Sequence, residues 1–226
     1  MLFLVLGRGK TGRVIADVAS EHGHGVRVVG EEENRNAMAL TAPFLATFDA
    51  VIDFTTPEAA VHNMRACLAN GARMVVGTTG WYDHLDDMRS LAARKGAGFL
   101  YGTNFSIGVQ TLYRLAKELA VAVPQYRFKI IETHHIQKKD APSGTALSLR
   151  QAVQTANPSL NVPIESKREG DVAGVHILEA RTEDELIELK HESFSRRAFA
   201  EGAVRAAEWI AGKTGVWDFS EIAGQL

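Results

Sequence analysis

Apolar runs four or five residues long alternate with stretches of helical spacing through the first hundred positions. Leu2–Leu6, Gly25–Val29, Ala50–Phe54, Arg73–Val76 and Ala97–Tyr101 read as strands, and the continuous apolar run Leu2–Leu6 fits a strand buried in a parallel sheet. Between them, Val14–Glu21, Pro57 to about Asn70, and Asp83–Lys95 carry helical periodicity. The last two stop at Gly71 and Gly96, where a glycine can end a helix. Strand and helix in alternation predict an α/β fold, a Rossmann-like doubly wound parallel sheet. After residue 104 the rhythm changes. A long helix is predicted over Ser106–Val123, a strand over Tyr126–His134 and a helix over Ser143–Thr155. Two strands, His176–Arg181 and Glu185–His191, are close enough to pair antiparallel, and a last helix follows over Ala198–Gly212. This second region reads as an α+β domain.

Composition narrows the class. Hydrophobic residues make up 46% and charged residues 23% of the 226 positions, which fits a folded chain. The formal net charge of -2 gives no reason to expect nucleic acid as a partner. Cys67 is the single cysteine, so no internal disulfide can form and a cysteine-rich metal site is excluded by number. The apolar start is interrupted at once by Gly7, Arg8 and Lys10. It reads as a strand and not as an export signal, and no run of ~18 apolar residues exists to span a membrane. A cytoplasmic location is expected.

Gly7-Arg8-Gly9-Lys10-Thr11-Gly12 is a G-x-G-x-x-G placed after a strand and before a helix. In that place the first glycine permits the turn, the second admits a pyrophosphate and the third lets helix and strand pack. The helix N-terminus then faces the phosphates. Glu31, 19 positions after Gly12, is placed to hold ribose hydroxyls, with Glu32 as the alternative. A carboxylate there leans toward NADH, whereas Arg8, Lys10 and Arg35 leave NADPH open. Three further turns follow strands of the same sheet and therefore share its carboxyl edge: Phe54-Thr55-Thr56, Gly77-Thr78-Thr79-Gly80 and Gly102-Thr103-Asn104-Phe105.

The stretch from Glu132 to Ala146, ETHHIQKKDAPSGTA, concentrates proton-transfer and anion-binding groups. His134 can carry a proton near neutral pH. Lys138 brings a cation, and Ser143-Gly144-Thr145 opens a helix whose N–H groups suit a carboxylate. Adjacent His134 and His135 point opposite ways in an extended strand, so no metal is expected there.

This string resembles the signature E-x-H-H-x-x-K-x-D-A-P-S-G-T-A of the 4-hydroxy-tetrahydrodipicolinate reductase family. Val51–Thr55, Gly77–Gly80, Asn104–Gly108, Ser195-Arg196 and Phe199–Ala203 are similar to that family's other blocks. The resemblance implies NADH- or NADPH-dependent reduction of a cyclic dicarboxylate in lysine and diaminopimelate biosynthesis. It implies a dinucleotide-binding domain over residues 1–104, with 197–226 packing back onto it. A substrate-binding and homotetramer-forming domain over 105–196 is likewise implied. His134 would be the proton donor/acceptor and Lys138 a second donor, with His135, Ser143, Gly144 and Thr145 on the substrate. Gly7 to Gly12, Glu31, Phe54, Gly77 to Thr79 and Gly102 to Phe105 would line the cofactor. The first loop is one residue shorter than the family's usual G-x-x-G-x-x-G, and the stretches 33–49 and 170–176 are short. Another two-domain dehydrogenase, or a cofactor-binding regulator, would share the glycine turn but not the His134–Thr145 string.

Overall fold

In the computed structural model, which describes residues 1–226, the chain divides into two units: Met1–Ile107 with Arg196–Leu226, and Gly108–Ser195. The first unit holds six parallel strands: β1 (Leu2–Leu6), β2 (Gly25–Val29), β3 (Ala50–Asp53), β4 (Arg73–Val76), β5 (Gly98–Tyr101) and β10 (Gly215–Asp218). Their order in the sheet is β10-β5-β4-β3-β1-β2. The chain thus reverses direction across β1, and a ligand crevice is expected at that reversal, beyond the strands' carboxyl ends.

Both faces of this sheet are covered, which is why the inner strands β3 and β5 are buried throughout, whereas the edge strand β2 alternates. Helices α1 (Lys10–Glu21) and α7 (Arg197–Ile210) bury Phe3, Val5, Ile52, Val75 and Leu100. Helices α3 (Pro57–Ala69) and α4 (Leu85–Lys95) bury Leu4, Leu6, Val51, Met74 and Phe99 on the other side. Small residues on α7 allow the close approach. A Cβ at Gly202 would lie 1.7 Å from the Phe105 carbonyl oxygen, so only glycine fits. Phe105 is thereby held in the core, with its ring 4.4 Å from that of Phe219. Burial of one such ring contributes roughly 1.5–3 kcal/mol.

The elements of this unit beyond the predicted set include the edge strand β10 and a short helix α2 (Ala42–Leu45) in the 33–49 segment. Helix α1 also begins four residues earlier than its apolar spacing indicates, within the glycine turn itself. A last short helix, α8 (Phe219–Ile222), also beyond the predicted set, opens on a capping box made by Asp218 and Glu221.

The second unit is a four-stranded sheet, β7 (Ile164–Arg168), β6 (Arg127–His134), β8 (Gly174–Arg181) and β9 (Leu186–Ser193), in that order. Strand β6 runs parallel to β7, and β8 pairs antiparallel with both β6 and β9. Helices α5 (Ile107–Ala122) and α6 (Gly144–Ala156) supply Leu112, Ala116, Leu149 and Val153 to a core with Phe128, Ile130, Leu178 and Ala180.

Candidate active site

The sheet register of the first unit aligns its strand ends. Leu6 pairs with Val29 and Asp53, Asp53 with Val76, and Val76 with Tyr101. The next residues continue the pattern through backbone bonds: Gly7 N–H to Val29, Phe54 N–H to Leu6, Gly77 N–H to Asp53 and Gly102 N–H to Val76. All four predicted turns therefore lie along one edge.

A cleft of about 470 Å³ opens there at the β1 reversal. Gly7, Arg8, Gly9, Glu31 and Phe54 line it, together with Thr55, Asn34, Arg35, Asn36 and Asn63. Glu31 stands in the lining and Glu32 does not. Gly7 and Gly12 are required by close approach, whereas a Cβ at Gly9 would meet nothing within 4 Å. Gly7 has φ 107°, and a Cβ there would lie 2.5 Å from the Phe54 carbonyl oxygen; a Cβ at Gly12 would lie 2.0 Å from the Gly7 oxygen. Lys10, Thr11 and Gly12 form the first turn of α1, whose N–H groups favour an anion. The cradle, the helix start and the carboxylate fit a dinucleotide. Arg8 is not idle: its guanidinium donates to Glu33 at 2.8 Å, and Glu33 also accepts the Gly30 N–H.

The remaining predicted cofactor residues occupy different places. Gly77 is needed for packing, since a Cβ would fall 2.1 Å from the Phe54 ring. Gly102 is pressed by Phe219 in the same way. Thr78 is buried and Phe105 is 2% exposed, so neither side chain reaches the cleft surface. Thr79 and Thr103 are exposed, and Asn104 Oδ1 accepts the Ser106 N–H at the start of α5. These belong to the same edge but not to the cleft lining.

A residue without an assigned role in the sequence organises that edge. Asp53, fully buried at the end of β3, accepts the Thr55 N–H (3.0 Å), the Thr55 hydroxyl (2.7 Å) and the Thr78 hydroxyl (2.9 Å) on one oxygen. Its other oxygen accepts Asn63 Nδ2 at 2.8 Å, and Asn63 in turn accepts Asn34 Nδ2 at 2.8 Å. Burial pushes the Asp53 carboxyl up, against the pull of these donors.

In the second unit, the alternation of β6 sets Phe128, Ile130, Glu132 and His134 on one buried face. That face turns from apolar to polar at the strand's end. Register then adds partners: Ser166 on β7 and His176 on β8 stand beside Glu132, and Arg168 stands beside His134. His134 Nδ1 lies 3.6 Å from Glu132 Oε2, and Arg168 Nη1 lies 3.5 Å from Oε1. The His134 and His176 rings meet edge to face at 5.1 Å. Nδ1 of each is buried without a hydrogen-bond partner.

Burial lowers the His134 pKa. Glu132 opposes this, and Lys138 and Arg168 reinforce it. Burial likewise lowers His176, to about 4. For Glu132, burial alone would push the carboxyl up, but hydrogen bonds from Ser143 and Ser166 and the nearby His134 hold it below the ordinary carboxylate range. Lys138 is partly covered and donates from Nζ to Asp140 at 2.8 Å. Arg168 donates to the carbonyls of Lys138 and Asp140, which ties the His135–Asp140 loop to β7. The compact 170–176 turn is fastened to the same loop by Ile136 N–H on the Gly170 carbonyl.

Ser143 is placed differently from the expected substrate contact. It is 2% exposed; its N–H donates to both Glu132 oxygens, and its hydroxyl caps α6 and faces His176 Nε2 at 3.2 Å. Gly144, by contrast, is exposed at the helix start, and His135 and Thr145 are half-exposed. His134 and His135 diverge. The donor set able to hold a metal here is instead Glu132, His134 and His176, one atom of each lying within 4.8 Å of the others. Glu132 opens the motif string without a role assigned to it, and His176 and Arg168 lie outside the string and carry no signal in the sequence.

A dinucleotide cradle on a doubly wound sheet, together with a buried histidine–carboxylate site on an α+β unit, defines an oxidoreductase that uses a nicotinamide dinucleotide. Residues 1–105 match the family model "Dihydrodipicolinate reductase, N-terminus" and residues 108–222 match "Dihydrodipicolinate reductase, C-terminus". The chain belongs to the dihydrodipicolinate reductase family. The 4-hydroxy-tetrahydrodipicolinate reductase of Christiangramia forsetii is 32% identical over 242 residues, covering 100% of this chain and 99% of that protein. The Natronomonas pharaonis protein of the same description is 38% identical over 237 residues, covering 94% and 96%. The solved structure of a dipicolinate-bound dihydrodipicolinate reductase from Paenisporosarcina shares the fold. Its TM-score is 0.84 at 24% identity, with 100% of this chain and 99% of that one covered. No helix is long and apolar enough to cross a membrane.

Proposed function

We propose that the chain reduces 4-hydroxy-tetrahydrodipicolinate to tetrahydrodipicolinate with NADH or NADPH, in lysine and diaminopimelate biosynthesis in the cytoplasm. The observation that carries the reading is the pairing of buried His134 with Glu132, next to Lys138 and the α6 start, in a chain that matches the family from end to end. Bound reduced nicotinamide would supply the hydride, which overall replaces the 4-hydroxyl; that hydroxyl leaves with a proton as water. The chain's own work is to hold a dianion and to move a proton. Lys138, Arg168 and the backbone at Gly144 and Thr145 attract the two carboxylates, with His135 beside them. His134 delivers the proton from Nε2, the nitrogen farther from Glu132, while Glu132 stabilises the imidazolium from the Nδ1 side. Lys138 is the second donor. Gly7 to Gly12 and the first turn of α1 hold the pyrophosphate, and Glu31 the ribose.

The working form is a homo-oligomer, in line with the family's tetramers. The outward face of the four-stranded sheet supports this. It carries half-buried Ile131, Val175 and Ile177 at its centre, rimmed by ion pairs such as Lys190–Glu192 at 2.7 Å. Light scattering of the purified protein tests the oligomer.

The activity is tested by forming the heterocycle from pyruvate and aspartate semialdehyde with the preceding synthase and following loss of reduced-cofactor absorbance. Oxidation that requires this protein and both precursors is expected. Folded protein that binds NADH yet oxidises none refutes the reading.

A further inference from the structure

At the far end of α1 from the glycine turn, a second group of donors converges. The chain leaves α1 through His22-Gly23-His24, with Gly23 at φ 81°, and the two imidazoles face the same part of α7. Glu208 Oε1 lies 3.1 Å from His22 Nδ1 and 2.7 Å from His24 Nε2. One carboxylate oxygen thus meets two ring nitrogens from separate residues. One donor atom from each of His22, His24 and Glu208 falls within 4.8 Å of the other two. Around a tetrahedral zinc ion with N and O ligands at ~2.0–2.2 Å, neighbouring ligand atoms stand roughly 3.3 Å apart. The donors are therefore already near the separations that metal would impose.

The surroundings match a ligand site as well. A metal-bound histidine ordinarily gives its other ring N–H to a carboxylate. His22 Nε2 does this: it lies 3.1 Å from Glu201 Oε2, two helical turns before Glu208. Glu201 is itself held by Arg197 at 2.9 Å, and Arg197 is anchored on Glu21. The His24 ring is fixed against Phe3 at 4.7 Å. His24 is 13% exposed, whereas His22 and Glu208 are 26% and 33% exposed, which leaves a path for an ion and a water.

We propose that His22 Nδ1, His24 Nε2 and the Glu208 carboxylate bind one divalent transition-metal ion, zinc foremost, with water in the fourth position and Glu201 orienting His22. Two imidazoles with one carboxylate select zinc-like ions over magnesium or calcium, which prefer oxygen ligands. The ion would pin the end of the cofactor helix α1 to α7. It would thereby close the chain between its first helix and its C-terminal segment.

The test uses the full-length, untagged, chelator-stripped protein titrated with Zn²⁺ by calorimetry, with Co²⁺ as a visible-absorbing stand-in. The expected result is one saturable equivalent of Zn²⁺, a rise in the thermal midpoint and d–d bands of a low-coordinate Co²⁺ centre. His24→Gln and Glu208→Gln should each weaken Zn²⁺ by tenfold to a hundredfold and remove the Co²⁺ bands. His134→Gln, which alters the other donor cluster, should leave them in place. Absence of saturable binding would show that the His–Glu contacts are hydrogen bonds only. Binding that survives His24→Gln with circular dichroism unchanged, or that is lost in His134→Gln, would equally overturn the assignment.

Discussion

His134 Nδ1 stands 3.6 Å from Glu132 Oε2, two residues back on the same buried face of one strand. That distance is too long for a hydrogen bond but well inside the range in which a carboxylate stabilises an imidazolium. The His134 pKa is lowered chiefly by burial, with Lys138 and Arg168 adding to the effect and Glu132 resisting it. If His134 donates the proton, kcat/KM must fall as the pH rises through its free-enzyme value, which lies below the ordinary ~6.5. Glu132→Gln should move that limb to lower pH, and Arg168→Met should move it to higher pH. In kcat the limb should lie higher than in kcat/KM, because a bound dianion offsets the two cations. His134→Ala should lower kcat by about 10²–10⁴-fold while NADH binding stays within about twofold. Profiles that do not move in either neighbour variant would remove His134 from this role.

Acid sensitivity follows from the histidine packed against His134, His176 on β8. Burial lowers His176 to about 4, whereas an unfolded histidine titrates near ~6.5. Between those values the unfolded chain binds more protons than the folded one, so stability falls as the pH drops across that window. The gap corresponds to roughly 3 kcal/mol for this one residue. Glu132, held low, adds its loss only below the usual carboxylate range. Urea denaturation at pH 7, 6, 5 and 4 should show the decline, and His176→Gln should flatten it above pH 5. A wild-type curve level from 7 to 5 would contradict the burial argument.

The strands β1 to β5 are legible because each is short, rich in apolar residues and set off by glycine-marked turns or helical stretches. Strand β10 was not, since Gly215–Asp218 is half-buried and carries Trp217 and Asp218 at an edge. Strand β7 reads IESKR, an exposed edge whose only sheet neighbour is β6. The site divides in the same way. His134, Lys138 and the α6 start share one contiguous string, so sequence alone finds them. His176 reaches Glu132 only through the antiparallel register of β6 and β8, and Arg168 reaches His134 only through β7. Local spacing encodes neither. Phe105 and Ser143 show the converse: their motif position offers them to a ligand, and tertiary packing, which the motif does not encode, turns both side chains inward.

Asp53 is the buried acceptor on which the cofactor edge is assembled. Asp53→Asn keeps the shape but replaces one acceptor oxygen with an amide donor, facing either Asn63 or the two threonines. At least one buried donor is then left unpaired, at a cost of about 1–3 kcal/mol. The variant should unfold at lower denaturant. It should also bind NADH severalfold more weakly, because Thr55 and Asn63 line the cleft. Equilibrium denaturation and fluorescence titration measure the two effects. Wild-type values in both would show that the network is dispensable.

The sequence offers Glu31 for the ribose contact with Glu32 as the alternative, and the backbone turn after β2 separates them. Glu31 lines the cleft beside Gly30 and Arg35, Glu32 does not, and Glu33 is committed to Arg8 and the Gly30 N–H. A carboxylate hydrogen-bonded to ribose hydroxyls is worth about 1.5–3 kcal/mol, at least tenfold in affinity. Against a 2′-phosphate the same charge is repulsive. Glu31→Ala should therefore weaken NADH at least tenfold and leave NADPH unchanged or tighter, since Arg35 remains in the cleft. Glu32→Ala should change neither by more than about twofold. Dissociation constants for both cofactors, measured for the two variants side by side, decide the matter. An NADH loss confined to Glu32→Ala would mean that the β2–α2 loop turns the other carboxylate inward when the dinucleotide binds.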